Sequence, residues 1–119
     1  LMILPKNTVE LIKAISADAI TSALVSQLNK DFQLCNLKIA YRSDISPSDL
    51  HNQLSRDISV LFTDHYDDYL NLVYRVDIPE AEILQIKHGN SDNISDQISF
   101  LILKRLYQKV WFKQNFNKL

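Results

Sequence analysis

Leu70-Asn71-Leu72-Val73-Tyr74-Arg75-Val76-Asp77-Ile78 is the stretch on which the fold class turns. Its Val73, Tyr74 and Val76 are strand formers. Its context favours a helix. Leu54, Ile58, Leu61, Phe62, Tyr69, Leu72 and Val76 keep one face apolar at helical spacing, and no turn residue interrupts them. Upstream, Ser46-Pro47-Ser48-Asp49 has the chemistry of a helix start. Ser46 can cap, Pro47 fits the first helical position, and Asp49 stands at the positive end of the dipole. Ile45 and Leu50 are placed to form a hydrophobic staple across that cap.

The same motif occurs earlier, at an offset of 33 residues. Leu37-Lys38-Ile39-Ala40-Tyr41-Arg42-Ser43-Asp44-Ile45 shares Leu, Tyr, Arg, Asp and Ile with the stretch above, and Leu28 and Asp31 match Leu61 and Asp64. Each shared position suits a corner between two helices. Tyr41 and Tyr74 would turn their rings inward in a last helical turn. Arg42 and Arg75 would lie beside free carbonyls at a helix end. Asp44 and Asp77 would turn the chain into the next helix. The rival for the first copy is again a strand, because Leu37, Ile39 and Tyr41 alternate with Lys38, Ala40 and Arg42.

Outward from these corners the chain reads as helices. One pattern starts after Pro5, with Asn7 or Thr8 as cap, and runs through Leu11, Ile15, Ile20, Leu24, Leu28, Phe32, Cys35 and Ile39. Asn29 and Asp31 are weak helix formers, so a break is expected near them. Asp77-Ile78-Pro79-Glu80 starts a short helix through Ile83 and Leu84, ended by Gly89. The last helix opens near Asn93 or Ser95 and has no breaker as far as Phe116. The expected fold is all-α, a single-domain bundle of about four or five helices with a duplicated corner.

Composition agrees. The 119 residues include one glycine, too few for the positive-φ turns of a compact β fold. Apolar residues make up 46% and charged residues 23%, enough for one core inside an ordinary soluble surface. The formal charge of -1 argues against a general binder of polyanions or membranes. Cys35 is the single cysteine, so the chain is no disulfide scaffold, and its apolar register reads as a buried thiol. The apolar start is cut at Pro5, too short for a signal peptide or a span, so a cytoplasmic location is expected. Asn93-Ile94-Ser95 then reads as a chance sequon.

The second copy also carries a resemblance. Leu72-Val73-Tyr74-Arg75-Val76-Asp77-Ile78-Pro79-Glu80, with Ile102-Leu103-Lys104-Arg105 and Gln108-Lys109-Val110-Trp111, resembles short uncharacterised bacterial helical proteins. That resemblance covers the last half of the chain and implies no activity.

Candidate chemistry is sparse. Asp64, His65 and Asp68 could share a helix face, but the paired Glu-x-x-His motifs of a di-metal bundle are missing, so no metal and no cofactor is expected. No phosphate loop, dinucleotide fingerprint or serine elbow is present, and no catalytic residue is assigned. The last helix interleaves Lys104, Arg105, Lys109, Lys113 and Lys118 with Tyr107, Trp111, Phe112 and Phe116. Such a mixture can bind nucleic acid. Arg105, Lys109 and Lys113 fall in one row, however, which suits an amphipathic helix with a solvated charged edge. The expectation is a non-catalytic interaction or assembly module, binding a protein or itself as a dimer through the aromatic end at Trp111, Phe112 and Phe116. A weak nucleic-acid binder is the alternative.

Overall fold

The computed structural model describes residues 4–86 and 93–116. Among these residues the chain is all-helical and contains no strand. Six helices follow one another: α1 (Thr8–Ala17), α2 (Thr21–Leu34), α3 (Pro47–Asp64), α4 (Tyr66–Val76), α5 (Glu80–Leu84) and α6 (Asn93–Asn115). No described helix is long and apolar enough to cross a membrane. Gly89, read as the stop of α5, lies outside the described residues.

The helix starts follow the sequence closely. Asn7 caps α1, accepting from the Glu10 N–H at 2.9 Å while its own amide donates to the Glu10 carboxylate at 3.0 Å. Ser46 caps α3, accepting from the Asp49 N–H at 3.1 Å, with Pro47 in the first turn. Leu50 is buried and Ile45 packs against the core beside it.

Three departures set the architecture. The first apolar pattern breaks at Asp18-Ala19-Ile20 and after Leu34, not at Asn29-Lys30-Asp31. Ala19 and Asn36 adopt left-handed conformations there, which stop a helix. Asn29 and Asp31 stay helical because both side chains have tertiary partners that outweigh their poor propensity.

The second departure is at His65, which separates α3 from α4 with φ -142° and ψ 61°. A continuous helix over both would run about 45 Å, longer than the 42 Å body. The break lets α4 turn back and pack on α3, α2 and α6.

The third departure concerns the motif that occurs twice. Both copies lie where one helix passes the chain to the next, but they differ in form. The second forms the end of α4 and its left-handed cap at Asp77. The first is not helical: residues 37–42 form neither helix nor strand and pass through a turn at Ser43-Asp44 into α3. Leu37, Ile39 and Tyr41 are half-buried while Lys38, Ala40 and Arg42 are exposed, so the period of two holds without a sheet.

α6 is the central element. It packs against α1, α2, α3 and α4, and Ile98, Ile102, Leu103 and Leu106 are buried on more than one side of it. Leu11 and Ile15 of α1, Leu24, Leu28 and Phe32 of α2, Leu50, Leu54 and Ile58 of α3 and Leu72 and Val76 of α4 close around it. Each such side chain contributes about 1.5–3 kcal/mol by leaving water.

Candidate interaction surface

The basic residues of α6 are turned to internal work. α4 ends at Val76, and its last carbonyls have no helical partner of their own. Lys109 Nζ donates to the Val76 carbonyl at 2.7 Å, and Arg105 Nε donates to the Asp77 carbonyl at 3.1 Å. Lys104 Nζ pairs with Glu82 Oε1 at 2.8 Å and lies 5.5 Å from the centre of the Phe100 ring. α6 therefore caps α4 and holds α5. Three of the cations that suggested nucleic acid are engaged inside the fold.

Behind this corner lies a buried carboxylate. Asp31 on α2 is 2% exposed. Gln27 donates to its Oδ1 at 3.2 Å, Arg75 Nε stands 3.6 Å from the same atom, and Oδ2 has no hydrogen-bond partner among the described residues. Burial pushes the Asp31 carboxyl up, against the opposing pull of Gln27, Lys109 and Arg75. Burial also pulls Lys109 down, helped by Arg105. Cys35, half-buried at the end of α2, has its thiol pushed up by burial and by Asp31, so it is a poor nucleophile.

The paired motif residues separate in role. Tyr41 turns inward as its motif suggested. Its ring meets Phe32 edge-on at 5.5 Å, and its hydroxyl donates to Asp57 Oδ2 at 2.5 Å. Arg42 pairs locally with Asp44 through two hydrogen bonds of 3.0 and 2.9 Å, both side chains being exposed to solvent. Tyr74 corrects the inward reading of the second copy, being 88% exposed. Arg75 does lie in the last turn of α4, but it reaches Asp31 and not the terminal carbonyls. Asp77 ends α4 with φ 66° and makes no side-chain cap for α5, whose start has no side-chain cap bond.

Tyr74 ends a row that the sequence reading did not single out. Tyr66, Leu70 and Tyr74 stand at successive four-residue steps on α4 and are 50%, 45% and 88% exposed. Phe62 continues the row across the α3–α4 break, with Tyr66 at 5.5 Å and Tyr69 at 5.1 Å edge-on to its ring. The row borders a groove of about 720 Å³ lined by Leu70, Val73, Tyr74, Ile78, Pro79 and Ile83, with Asp77 and Glu80 as its charged members. A signal did exist. α4 carries Tyr66, Tyr69, Leu70, Leu72, Val73, Tyr74 and Val76, more apolar surface than one buried face uses.

At the end of α6 the expected aromatic group divides. Trp111 is half-buried against the core, whereas Phe112 and Phe116 are 51% and 70% exposed. The acidic segment Asp64-His65-Tyr66-Asp67-Asp68 borders a shallow depression. Among the described residues no three His, Cys, Asp or Glu side chains gather closely enough to hold a metal. Comparison with family models, with known proteins and with solved structures found no match. The geometry alone therefore carries the functional argument.

Proposed function

We propose that this chain is a cytoplasmic protein-interaction module without catalytic activity, whose working surface is the outer row of α4 and the groove beside it. The observation that carries this reading is the alignment of Tyr66, Leu70 and Tyr74 in solvent along α4, with Leu70 and Tyr74 lining an apolar groove. Isolated exposed apolar residues are ordinary, but a contiguous aromatic row beside a groove is the form of a binding surface. Tyrosine suits such a surface, since it offers a large contact area with a polar tip.

The engagement of Lys104, Arg105 and Lys109 with Glu82, Asp77 and Val76 weighs against the nucleic-acid alternative. Phosphate binding would have to break contacts that hold α4 and α5 in place. The cytoplasmic assignment rests on the single cysteine, whose thiol needs no oxidising compartment.

Site-specific photo-crosslinking in cells tests the proposal. A photoreactive phenylalanine analogue replaces Tyr74 in one variant and exposed Lys13, on α1, in another. The expected result is a discrete protein adduct from position 74 and none from position 13. No adduct from position 74 would overturn the reading.

A further inference from the structure

Burial along α6 stops at Val110, one turn before the aromatic end. Trp111 stays packed on the core and stands edge-on to Phe112 at 5.4 Å, which steadies that ring in solvent. Phe112 and Phe116 are one helical step apart, with exposed Lys113 beside them. This end of the helix is an aromatic knob with a positive charge.

The α4–α5 groove has the opposite character. Its apolar floor comes from Leu70, Val73, Ile78, Pro79 and Ile83. Among the described residues its charged lining members are Asp77 and Glu80, and no described Lys or Arg lines it. Glu80 is exposed. The Asp77 carboxylate is 79% exposed and meets, among the described residues, a loose 3.6 Å contact from Arg105. Such a groove fits two apolar anchors one turn apart on a helix, with a cation between them in sequence.

The knob cannot enter its own groove. Arg105 and Lys109 fasten α6 to the end of α4, and the helix continues unbroken through Asn115. A straight helix carries Phe116 about 10 Å beyond Lys109. Resting on the interaction reading above, we infer that the occupant of the groove is a second copy of this chain. Phe112 and Phe116 of one molecule seat between α4 and α5 of the next, with Lys113 toward Asp77 and Glu80. Knob and groove are different surfaces, so the contact is head-to-tail and closes as a reciprocal pair or a ring, or extends. A contact of one helix end is small, which suits a dissociation constant of roughly 10 µM.

Sedimentation velocity of the purified chain between about 1 and about 100 µM tests this. The expected result is a sedimentation coefficient that rises with concentration. Two double variants change only exposed residues: Phe112→Ser with Phe116→Ser, and Leu70→Lys with Tyr74→Lys. Each should keep its circular dichroism and melting point and associate at least about tenfold more weakly. Mixed in equal amounts they should form a heterodimer, because one retains the groove and the other the knob. A wild-type chain that stays monomeric, a variant that associates like wild type, or a mixture that does not pair would each overturn the inference. The crosslink at position 74 separates the two claims. An adduct of twice the chain mass supports self-association. An adduct of any other mass, with a monomeric wild type, removes the second copy as occupant and leaves the interaction module standing.

Discussion

Asn29 holds the backbone of Tyr41 with both ends of its side-chain amide, donating to the Tyr41 carbonyl and accepting from the Tyr41 N–H, each at 2.9 Å. A segment with a period of two normally satisfies its backbone against a neighbouring strand. Here one side chain on α2 takes the place of that strand, and the Tyr41 ring is delivered onto Phe32 and Asp57.

Asn29→Ala should therefore cost about 1–3 kcal/mol, since it leaves two part-buried backbone groups without partners. Asn29→Asp keeps the acceptor and loses the donor, so its cost should fall between wild type and alanine. Urea unfolding measures both. Amide exchange should show faster opening of residues 37–42 in Asn29→Ala than of α6.

This clamp also explains why the first corner is not the helix end that its motif implies. Its period of two was visible in Leu37, Ile39 and Tyr41, but a strand with no partner is not an expected structure. The partner was Asn29, twelve residues upstream on a helix, and neither composition nor spacing points to it. The caps at Asn7 and Ser46 were legible because a cap is a contact within four residues. The break at His65 was not, because it answers to the size of the whole body. At the candidate surface, Phe112 and Phe116 were legible as aromatic residues past the last core position. The outward face of Tyr74 depended on how α4 rotates against α2, α3 and α6.

The Tyr107 hydroxyl donates to Asp18 Oδ2 at 2.6 Å and joins α6 to the α1–α2 turn. Burial, then Asp18, pushes this phenol from 10.0 up to about 12. A group whose folded value is raised stabilises fully below its unfolded value and loses that contribution as pH rises through the folded one. Wild type should thus lose stability between pH 10 and about pH 12. Tyr107→Phe should be less stable at neutral pH by about 1.5–3 kcal/mol, the worth of a bond to a charged acceptor. Its stability should fall less over the alkaline window, as denaturant titrations at stepped pH would show.

Asp31 runs the same linkage at the acid side. Its folded carboxyl is raised above 3.8, so its ionised form at neutral pH costs stability, and acidification toward 3.8 relieves that cost. Asp31→Asn keeps an acceptor for Gln27 and removes the buried charge. The variant should melt higher than wild type at pH 7, and the gap should narrow as pH falls. A lower melting point at pH 7 would mean that Arg75 and Lys109 hold the carboxylate more strongly than burial opposes it.

Lys109 and Arg105 act as one cap on α4, so their removal should be felt at the working surface. Lys109→Met keeps the aliphatic stem and loses the bond to Val76, at a cost of about 1–2 kcal/mol. Limited proteolysis should cut between α4 and α5 sooner in this variant than in wild type, ahead of any loss in α1 or α2.

Among the described residues three helix ends use left-handed residues other than glycine: Ala19 at φ 52°, Asn36 at φ 59° and Asp77 at φ 66°. Asparagine and aspartate tolerate that region, because their short polar side chains bond locally, whereas alanine has no such relief. The left-handed conformation costs alanine about 1–2 kcal/mol, and glycine gives back about 0.5–1 kcal/mol through its freer unfolded chain. Ala19→Gly should therefore stabilise the protein by about 0.5–1 kcal/mol, read as a higher urea midpoint at unchanged slope. Asn36→Gly should gain less. Asp77→Gly should also gain less than Ala19→Gly, since it gives up the loose pairing with Arg105 as well, a contact worth little at the surface. The order matters more than the sizes. Were Asp77→Gly to gain the most, the strain would sit at the cap of α4, beside the proposed groove, and not at the turn that Ala19 makes between α1 and α2.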